Sequence, residues 1–514
     1  MKHTIIPLNE SVVVTAAQMS AIEQRLFDAG MPVAALMEKV AGLITQKVMQ
    51  LYPQAQKFGF LVGPGHNGGD ALVVARELHL RGYAVRVCRP LEKWKDLTAS
   101  HGQYCLSLGI PFAKEVDSLG DCDVIVDGLF GFGLTRDLKG DVAQVVETLN
   151  SWQQAVVSID LPSGIHTDTG AVLGTAIQAS QTLCLGLWKR AFFQERALAY
   201  LGKATRIDFG IQPDDIKAIL GKNAEIQQLT KDKVQLCLPL PRPAMTHKYK
   251  QGHLLLVVGS TRYAGGAILA ALGARASGVG MLSIAVPESL KPLLVSQLPE
   301  ALVYGCPETQ KGAIALLPEL LLDLSAFDVM ATGCGLTTEA RPIVEQLLKA
   351  DVPLVLDADG LNILAQLDPI KTLAARSAPT ILTPHVGEFK RLFPDISPDD
   401  GIEAAQKAAC QANAIILLKG ARSAIAHPNG TVWLIPESTP ALARGGSGDV
   451  LTGLLGGLIC ASNRTAYPLE ATVATAAWWH AQAGILAAQE RTELGVDAYT
   501  LTQFLIPAIS CLTA

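Results

Sequence analysis

Short apolar runs recur along this chain, and most of them close on a loop that pairs glycine with a carboxylate or a hydroxyl. In the first half the runs cover 58–62, 84–88, 123–127 and 155–160, with helical spacing of apolar residues between them. A run this short and uninterrupted reads as a strand buried on both faces, and its alternation with helices is the pattern of a parallel α/β sheet. A second series covers 253–258, 281–286, 328–332, 353–357 and 414–418, and Pro428-Asn429-Gly430 marks a hairpin turn between 423–426 and 432–435. The segment 212–243 interrupts the alternation, first polar and then rich in proline. We therefore place a domain boundary near residue 230, dividing 1–228 from 229–514. A chain of 514 residues is in any case too long for one ordinary core.

Two helices precede the first series. Thr15 and Gln18 form a capping box ahead of Met19, Ile22 and Leu26, and Met37, Val40, Ile44 and Val48 follow at helical spacing. A long helix over 471–489 stands near the C-terminal end.

Hydrophobic residues make up 49% of the chain and charged residues 17%, which excludes a disordered protein. The net charge of −5, without a long basic block, argues against nucleic acid as a partner. The ten cysteines include no CxxC pair, and the N-terminus has no apolar signal core. No apolar stretch is long enough to span a bilayer. The expectation is a cytoplasmic protein with no membrane partner.

The densest chemical signal is Arg444-Gly445-Gly446-Ser447-Gly448-Asp449, followed at once by an apolar run. Glycine allows close backbone approach to a ligand, and a helix N-terminus favours an anion. Asp449 would repel phosphate, but it makes sense as a base that takes the proton of an attacking hydroxyl. A helix cap with an acid in its first turn is the alternative.

Three loops of the first half share one composition. They are Gly63-Pro64-Gly65-His66-Asn67-Gly68-Gly69-Asp70, Asp127-Gly128-Leu129-Phe130-Gly131-Phe132-Gly133 and Ser158-Ile159-Asp160-Leu161-Pro162-Ser163-Gly164. Ligands of open parallel sheets bind at such strand ends. The glycines suit a dinucleotide pyrophosphate, and the oxygens of Asn67, Asp127 and Ser163 suit a hard cation. Ordinary strand-to-helix turns are the competing reading of any one loop.

With Leu36-Met37-Glu38, these motifs make residues 10–215 resemble the NAD(P)H-hydrate epimerase family, a Rossmann-like fold. The resemblance implies potassium at Asn67, Asp127 and Ser163. It implies a nucleotide pocket lined by His66, Asn67, Gly68, Gly69 and Asp70, by Gly131, Phe132, Gly133, Leu134, Thr135, Arg136 and Asp137, and by Asp160. His66 departs from the family's usual Asn. In a hydrated nicotinamide the hydroxyl stands on a carbon beside the ring nitrogen, and an enzyme that inverts it must move a proton. Asp160 is the candidate acid/base, and Lys189 resembles a lysine common near that place. A solvated surface lysine is the alternative for Lys189.

In the second half, His247-Lys248-Tyr249, Asp357-Ala358-Asp359-Gly360-Leu361-Asn362, Thr383-Pro384-His385-Val386-Gly387-Glu388 and Gly446-Ser447-Gly448-Asp449 stand in order. Residues 230–510 are thereby similar to the ADP-dependent NAD(P)H-hydrate dehydratase family, a ribokinase-like α/β fold. The resemblance implies adenine-nucleotide contacts at Lys419, Gly420, Ala421, Arg422, Ser423 and Gly448. It implies contacts to the hydrated dinucleotide at Ala267, Gly335, His385 and Asp449. The N–H groups of Gly446, Ser447 and Gly448 would hold the transferred phosphoryl group. Ser447 replaces the common Thr, and Cys334 the common Pro. Magnesium is expected with the nucleotide, and a homo-oligomer is expected.

Taken together, the chain reads as two coupled repair activities on NADHX and NADPHX. One rival is a small-alcohol kinase fused to an accessory Rossmann-like domain. Another is a nucleotide sensor in the first half that regulates the second.

Overall fold

Seven strands of the first half join into one sheet. They are β1 (Lys57–Val62), β2 (Ala84–Cys88), β3 (Phe112–Ala113), β4 (Val124–Gly128), β5 (Ala155–Ile159), β6 (Gln181–Leu185) and β7 (Lys203–Ile207). The computed structural model describes residues 8–462, 467–510 and 512. The order across the sheet is β3-β2-β1-β4-β5-β6-β7, and every pairing is parallel. The chain therefore changes direction between β1 and β4, and a crevice opens at their carboxyl ends. Side chains alternate between two cores. Phe58, Phe60, Val124 and Val126 enter one, and Leu61, Cys88 and Ile125 enter the other. Helices α1 (Ala16–Asp28), α2 (Val33–Leu51) and α3 (His66–Leu80) belong to this unit. Thr15 caps α1 through the expected reciprocal bonds with Gln18.

Ten strands of the second half form another sheet. In chain order they are β8 (Ile226–Gln228), β9 (His253–Val257), β10 (Met281–Pro287), β11 (Leu302–Cys306), β12 (Val329–Thr332), β13 (Leu354–Leu356), β14 (Thr380–Leu382), β15 (Ile415–Leu418), β16 (Ala424–Ala426) and β17 (Val432–Leu434). The order is β8-β17-β16-β15-β14-β13-β12-β9-β10-β11. Only the pairings of β16 with β15 and β17 are antiparallel, as the Pro428-Asn429-Gly430 turn requires.

The two units are Met1–Ala224 and Glu225–Ala514. The boundary thus falls slightly before the expected division of 1–228 from 229–514. The reason is β8, a strand inside the polar segment, which pairs with β17 of the second sheet.

The glycine loop is held by the closest helix contact in the second unit. Helix α4 (Ala264–Ala276) packs against α5 (Ser447–Ser462), and glycine lines both sides. A β-carbon on Gly453 would lie 1.7 Å from the Ala270 carbonyl oxygen, and one on Gly273 would lie 2.2 Å from that of Val450. Backbone cannot yield as a side chain can. Gly453→Ala is therefore expected to destabilise this unit by about 3 kcal/mol or more, read from denaturant unfolding. Among the described residues no helix is long and apolar enough to cross a membrane.

Candidate functional site

A cavity of about 730 Å³ opens at the carboxyl ends of β1, β4 and β5. His66, Asn67 and Asp70 reach it from the start of α3, and Asp160 from the end of β5. Gly131, Phe132, Gly133, Leu134, Thr135 and Arg136 border it after β4. Gly68 and Gly69 do not line it. A β-carbon on Gly68 would meet the Gly63 carbonyl oxygen at 2.0 Å, and one on Gly69 would meet Met37 at 2.8 Å. These two glycines let α3 sit against its own loop and α2. Asp137 lies beyond the cavity, 3.5 Å from Lys139 at the surface.

Asp160 has φ 68, a left-handed backbone that is uncommon outside glycine. That twist and a fixed set of donors aim its buried carboxylate. Oδ2 accepts from the Phe132 N–H at 3.0 Å, and Oδ1 accepts from the Leu185 N–H at 3.3 Å and from Lys189 Nζ at 2.6 Å. Lys189 is 0% exposed, so the surface-lysine reading is excluded. A two-residue ladder pairing Val13–Val14 with Trp188–Lys189 carries it inward. Burial works against its charge, yet the Asp160 carboxylate holds the ammonium above its ordinary value. Asp70 is pushed well above the usual carboxylate range by burial and then by the charges of Asp160 and Glu23. Glu23 and Phe27 of α1 also line the cavity, and the sequence reading missed them. Glu23 stands four residues after Met19, a charge on the edge of an apolar stripe, which was the available signal.

Asp127 is fully buried. Ser163 donates to it through Oγ at 2.6 Å and through N at 2.9 Å, and Ser158 Oγ donates at 2.8 Å. Burial raises its pKa against the pull of these bonds. Asn67 keeps a buried amide nitrogen without a partner. An Asn amide turned by half a rotation looks the same, and the lone atom is then a carbonyl oxygen facing inward. A monovalent cation bound by oxygen fits that donor set.

In the second unit Asp357 is the hub. Its Oδ1 accepts from Lys419 Nζ at 2.7 Å and its Oδ2 from Thr452 Oγ1 at 2.7 Å. Lys419 loses solvation there, but Asp357 and then Glu388 keep its pKa raised. Its ammonium is thus committed to Asp357. Ser423 Oγ is turned into its own loop, donating to the Gly420 carbonyl at 3.2 Å. The Lys419 N–H donates to the Pro384 carbonyl, which draws this loop beside His385.

His385 Nδ1 accepts from the Gly387 and Glu388 N–H groups and caps the short helix Val386–Leu392. Its ring proton must then sit on Nε2, 3.5 Å from Glu388 Oε1, on a side chain that is 57% exposed. Asp449 stands in the first turn of α5. A β-carbon on Gly266 would lie 3.3 Å from its Oδ2 and 3.6 Å from Gly335 N, so carboxylate and backbone N–H face one small space. Burial pushes Asp449 up to about 6, and a hydrogen bond from the Cys334 thiol pulls the other way. Gly335 has φ 65, and Gly446 has φ 93.

Two of the expected contact residues carry other commitments. Ala267 is fully buried with its β-carbon against Gly259, so its side chain has no surface left for a ligand. The Ser447 N–H already donates to the Arg444 carbonyl at 3.3 Å. Gly448 and Asp449 are then the first-turn positions whose N–H groups have no helical partner. His480, missed in the sequence, donates to the Ser447 carbonyl at 2.9 Å and steadies the loop, and burial pushes its pKa down to about 4.

Two parallel α/β units, each with glycine loops at its strand ends and a buried acid among them, define a two-domain nucleotide-handling enzyme. The first unit is Rossmann-like and the second ribokinase-like. Residues 33–191 match the family model described as YjeF-related protein N-terminus, and residues 254–507 match that of NAD(P)H-hydrate dehydratase. The chain is 57% identical to the bifunctional NAD(P)H-hydrate repair enzyme of Synechocystis sp., over 96% of this chain and 94% of that one. It is 51% identical to the enzyme of the same name from Thermosynechococcus vestitus, over 97% of both chains. A solved ADP/ATP-dependent NAD(P)H-hydrate dehydratase from Bacillus subtilis, co-crystallized with ATP/Mg2+, is 32% identical, covers 55% of this chain and 98% of its own, and has a TM-score of 0.47. The chain belongs to the family of bifunctional NAD(P)H-hydrate repair enzymes.

Proposed function

We propose that the first unit interconverts the R and S epimers of hydrated NADH and NADPH, and that the second dehydrates the S epimer at the expense of ADP. The observation that carries this is the presence, in one chain, of two sites in which a carboxylate, buried at Asp160 and half-buried at Asp449, faces a ligand space. Asp160 is held by Lys189, and Asp449 stands over a helix N-terminus.

In the second unit Asp449 takes the proton of the substrate hydroxyl. The oxygen attacks the β-phosphorus of ADP, and AMP leaves. The N–H groups of Gly448 and Asp449 receive the transferring phosphoryl oxygens. The ring nitrogen lone pair then expels phosphate, and loss of a proton from the neighbouring carbon restores the double bond. Phosphorylation thus serves an elimination, because phosphate leaves more readily than hydroxide. His385, exposed at the loop beside Lys419, would contact the dinucleotide.

No group of three His, Cys, Asp or Glu side chains is arranged to hold a metal ion among the described residues. Magnesium is accordingly expected to be held mainly by the nucleotide phosphates, where it would neutralise their charge. Asn67, Asp127 and Ser163 would hold potassium, which would fix the loops that border the first cavity. Among the described residues nine cysteines are free, eight of them buried, which accords with a cytoplasmic setting.

The test is to incubate mixed epimers of NADHX with the protein, ADP and magnesium, and to follow NADH absorbance. Full recovery of both epimers is expected. Absence of recovery, with ATP-dependent turnover of an unrelated alcohol, would favour the fused-kinase reading. Recovery that stops at the S fraction would favour the sensor reading of the first unit.

A further inference from the structure

Inverting a hydroxyl-bearing carbon requires two proton transfers of opposite sense. The carbon–oxygen bond breaks with its electron pair on oxygen, which takes a proton and leaves as water, while the ring nitrogen lone pair forms the iminium. Water then adds from the opposite face, the new carbon–oxygen bond forms, and its extra proton goes to a base. One acid and one base, on two sides of the ring, return the site to a working state with their roles exchanged. Asp160 alone supplies one of them.

The cavity of the first unit contains three carboxyl groups, Glu23, Asp70 and Asp160. The buried Lys189 ammonium is bonded to Asp160. One cation of that kind keeps one carboxylate charged, which leaves the other two able to hold protons. Asp160 has both oxygens engaged, by Lys189, Leu185 N–H and Phe132 N–H. Glu23 comes from a separate element, α1, is half-buried, and has no hydrogen-bond partner among the described residues.

We propose that Glu23 is the second acid/base group of the first unit, exchanging its proton with the substrate hydroxyl on one face while Asp160 serves the other. This rests on the epimerase reading above. Burial lifts the Glu23 carboxyl to about 7, Lys189 pulls it down and Asp160 adds to the rise, so both protonation states are populated near neutrality. Asp70 senses the same charge, and His66, Lys95 and Arg136 complete the titratable and charged lining.

The test uses the full chain and purified (R)-NADHX without ADP, with conversion to the S epimer followed by chromatography. Glu23→Gln is expected to lower kcat for epimerisation about 100-fold, with dehydration of the S epimer unchanged and the ionisation near 7 gone from the pH profile. Glu23→Asp should retain part of the rate and an ionisation. A Glu23→Gln rate within about threefold of wild type, or a loss confined to KM, overturns the proposal. If Glu23→Gln does not fold, an unaltered rate and pH profile in Glu23→Asp overturns it instead. Should the wild-type chain dehydrate the S epimer yet leave the R epimer untouched, the epimerase reading fails, which is a separate outcome.

Discussion

Asp449→Ala is expected to lower the dehydration rate about 1,000-fold while epimerisation proceeds at the wild-type rate. The carboxylate stands in the first turn of α5, and it shares its space with the Gly335 N–H. An alanine there leaves the nucleotide cradle intact, so KM for ADP should move little. Asp449→Asn separates charge from shape and should be nearly as inactive. The base form is the working one, and burial places its ionisation at about 6. The dehydration rate should therefore fall as pH drops below about 6 and level off above it. The Cys334 thiol lowers that value, so Cys334→Ala should move the limb to higher pH. Unchanged dehydration in Asp449→Ala would remove Asp449 from the mechanism. Product formation by rapid quench in the absence of further epimerisation is the measurement.

Much of this architecture is legible in the sequence because strands buried on both faces leave uninterrupted apolar runs. The run at 84–88 coincides with β2, and the others end within a residue or two of their strands. Loops were legible for the same reason, since a strand end followed by glycine and an acid has few other uses. What escaped was set by distant partners. β8 reads as polar because it is a half-buried edge strand whose only neighbour, β17, comes some two hundred residues later. β14 lies between Pro379 and Pro384 and shows an apolar run of only Ile381 and Leu382. Lys189 looked as much like a surface lysine as a catalytic one, because Val13 and Val14, which carry its strand inward, lie far away in sequence. The glycine motifs also divided in a way that spacing does not announce. Gly68, Gly69 and Gly453 serve close packing, and Gly446 serves a turn with φ 93. Lys419, read as a nucleotide contact, is also the counter-charge of Asp357, which the sequence does not announce.

Lys189→Met should be the most damaging single change in the first unit. Lys189 and Asp160 are 1% and 3% exposed in their side chains and lie 2.6 Å apart, so neither charge has water to fall back on. Removing the cation leaves a buried carboxylate with only two backbone N–H donors, and a change of this kind costs about 3–5 kcal/mol. The packing lost is small, since Met has nearly the length of the lysine stem. Most of the loss is therefore electrostatic, and a double variant can isolate it. Adding Asp160→Asn to Lys189→Met removes the stranded charge and should recover more than half of the stability, because neutral isosteres of a buried pair often fold well. Epimerisation should not recover in the double variant, as the acid/base group is gone. Denaturant unfolding and R-to-S conversion, measured on wild type, both single variants and the double variant, form one cycle. A double variant no more stable than Lys189→Met would mean that the lysine acts through packing rather than charge. One that regained epimerisation would mean that Asp160 is not the proton carrier.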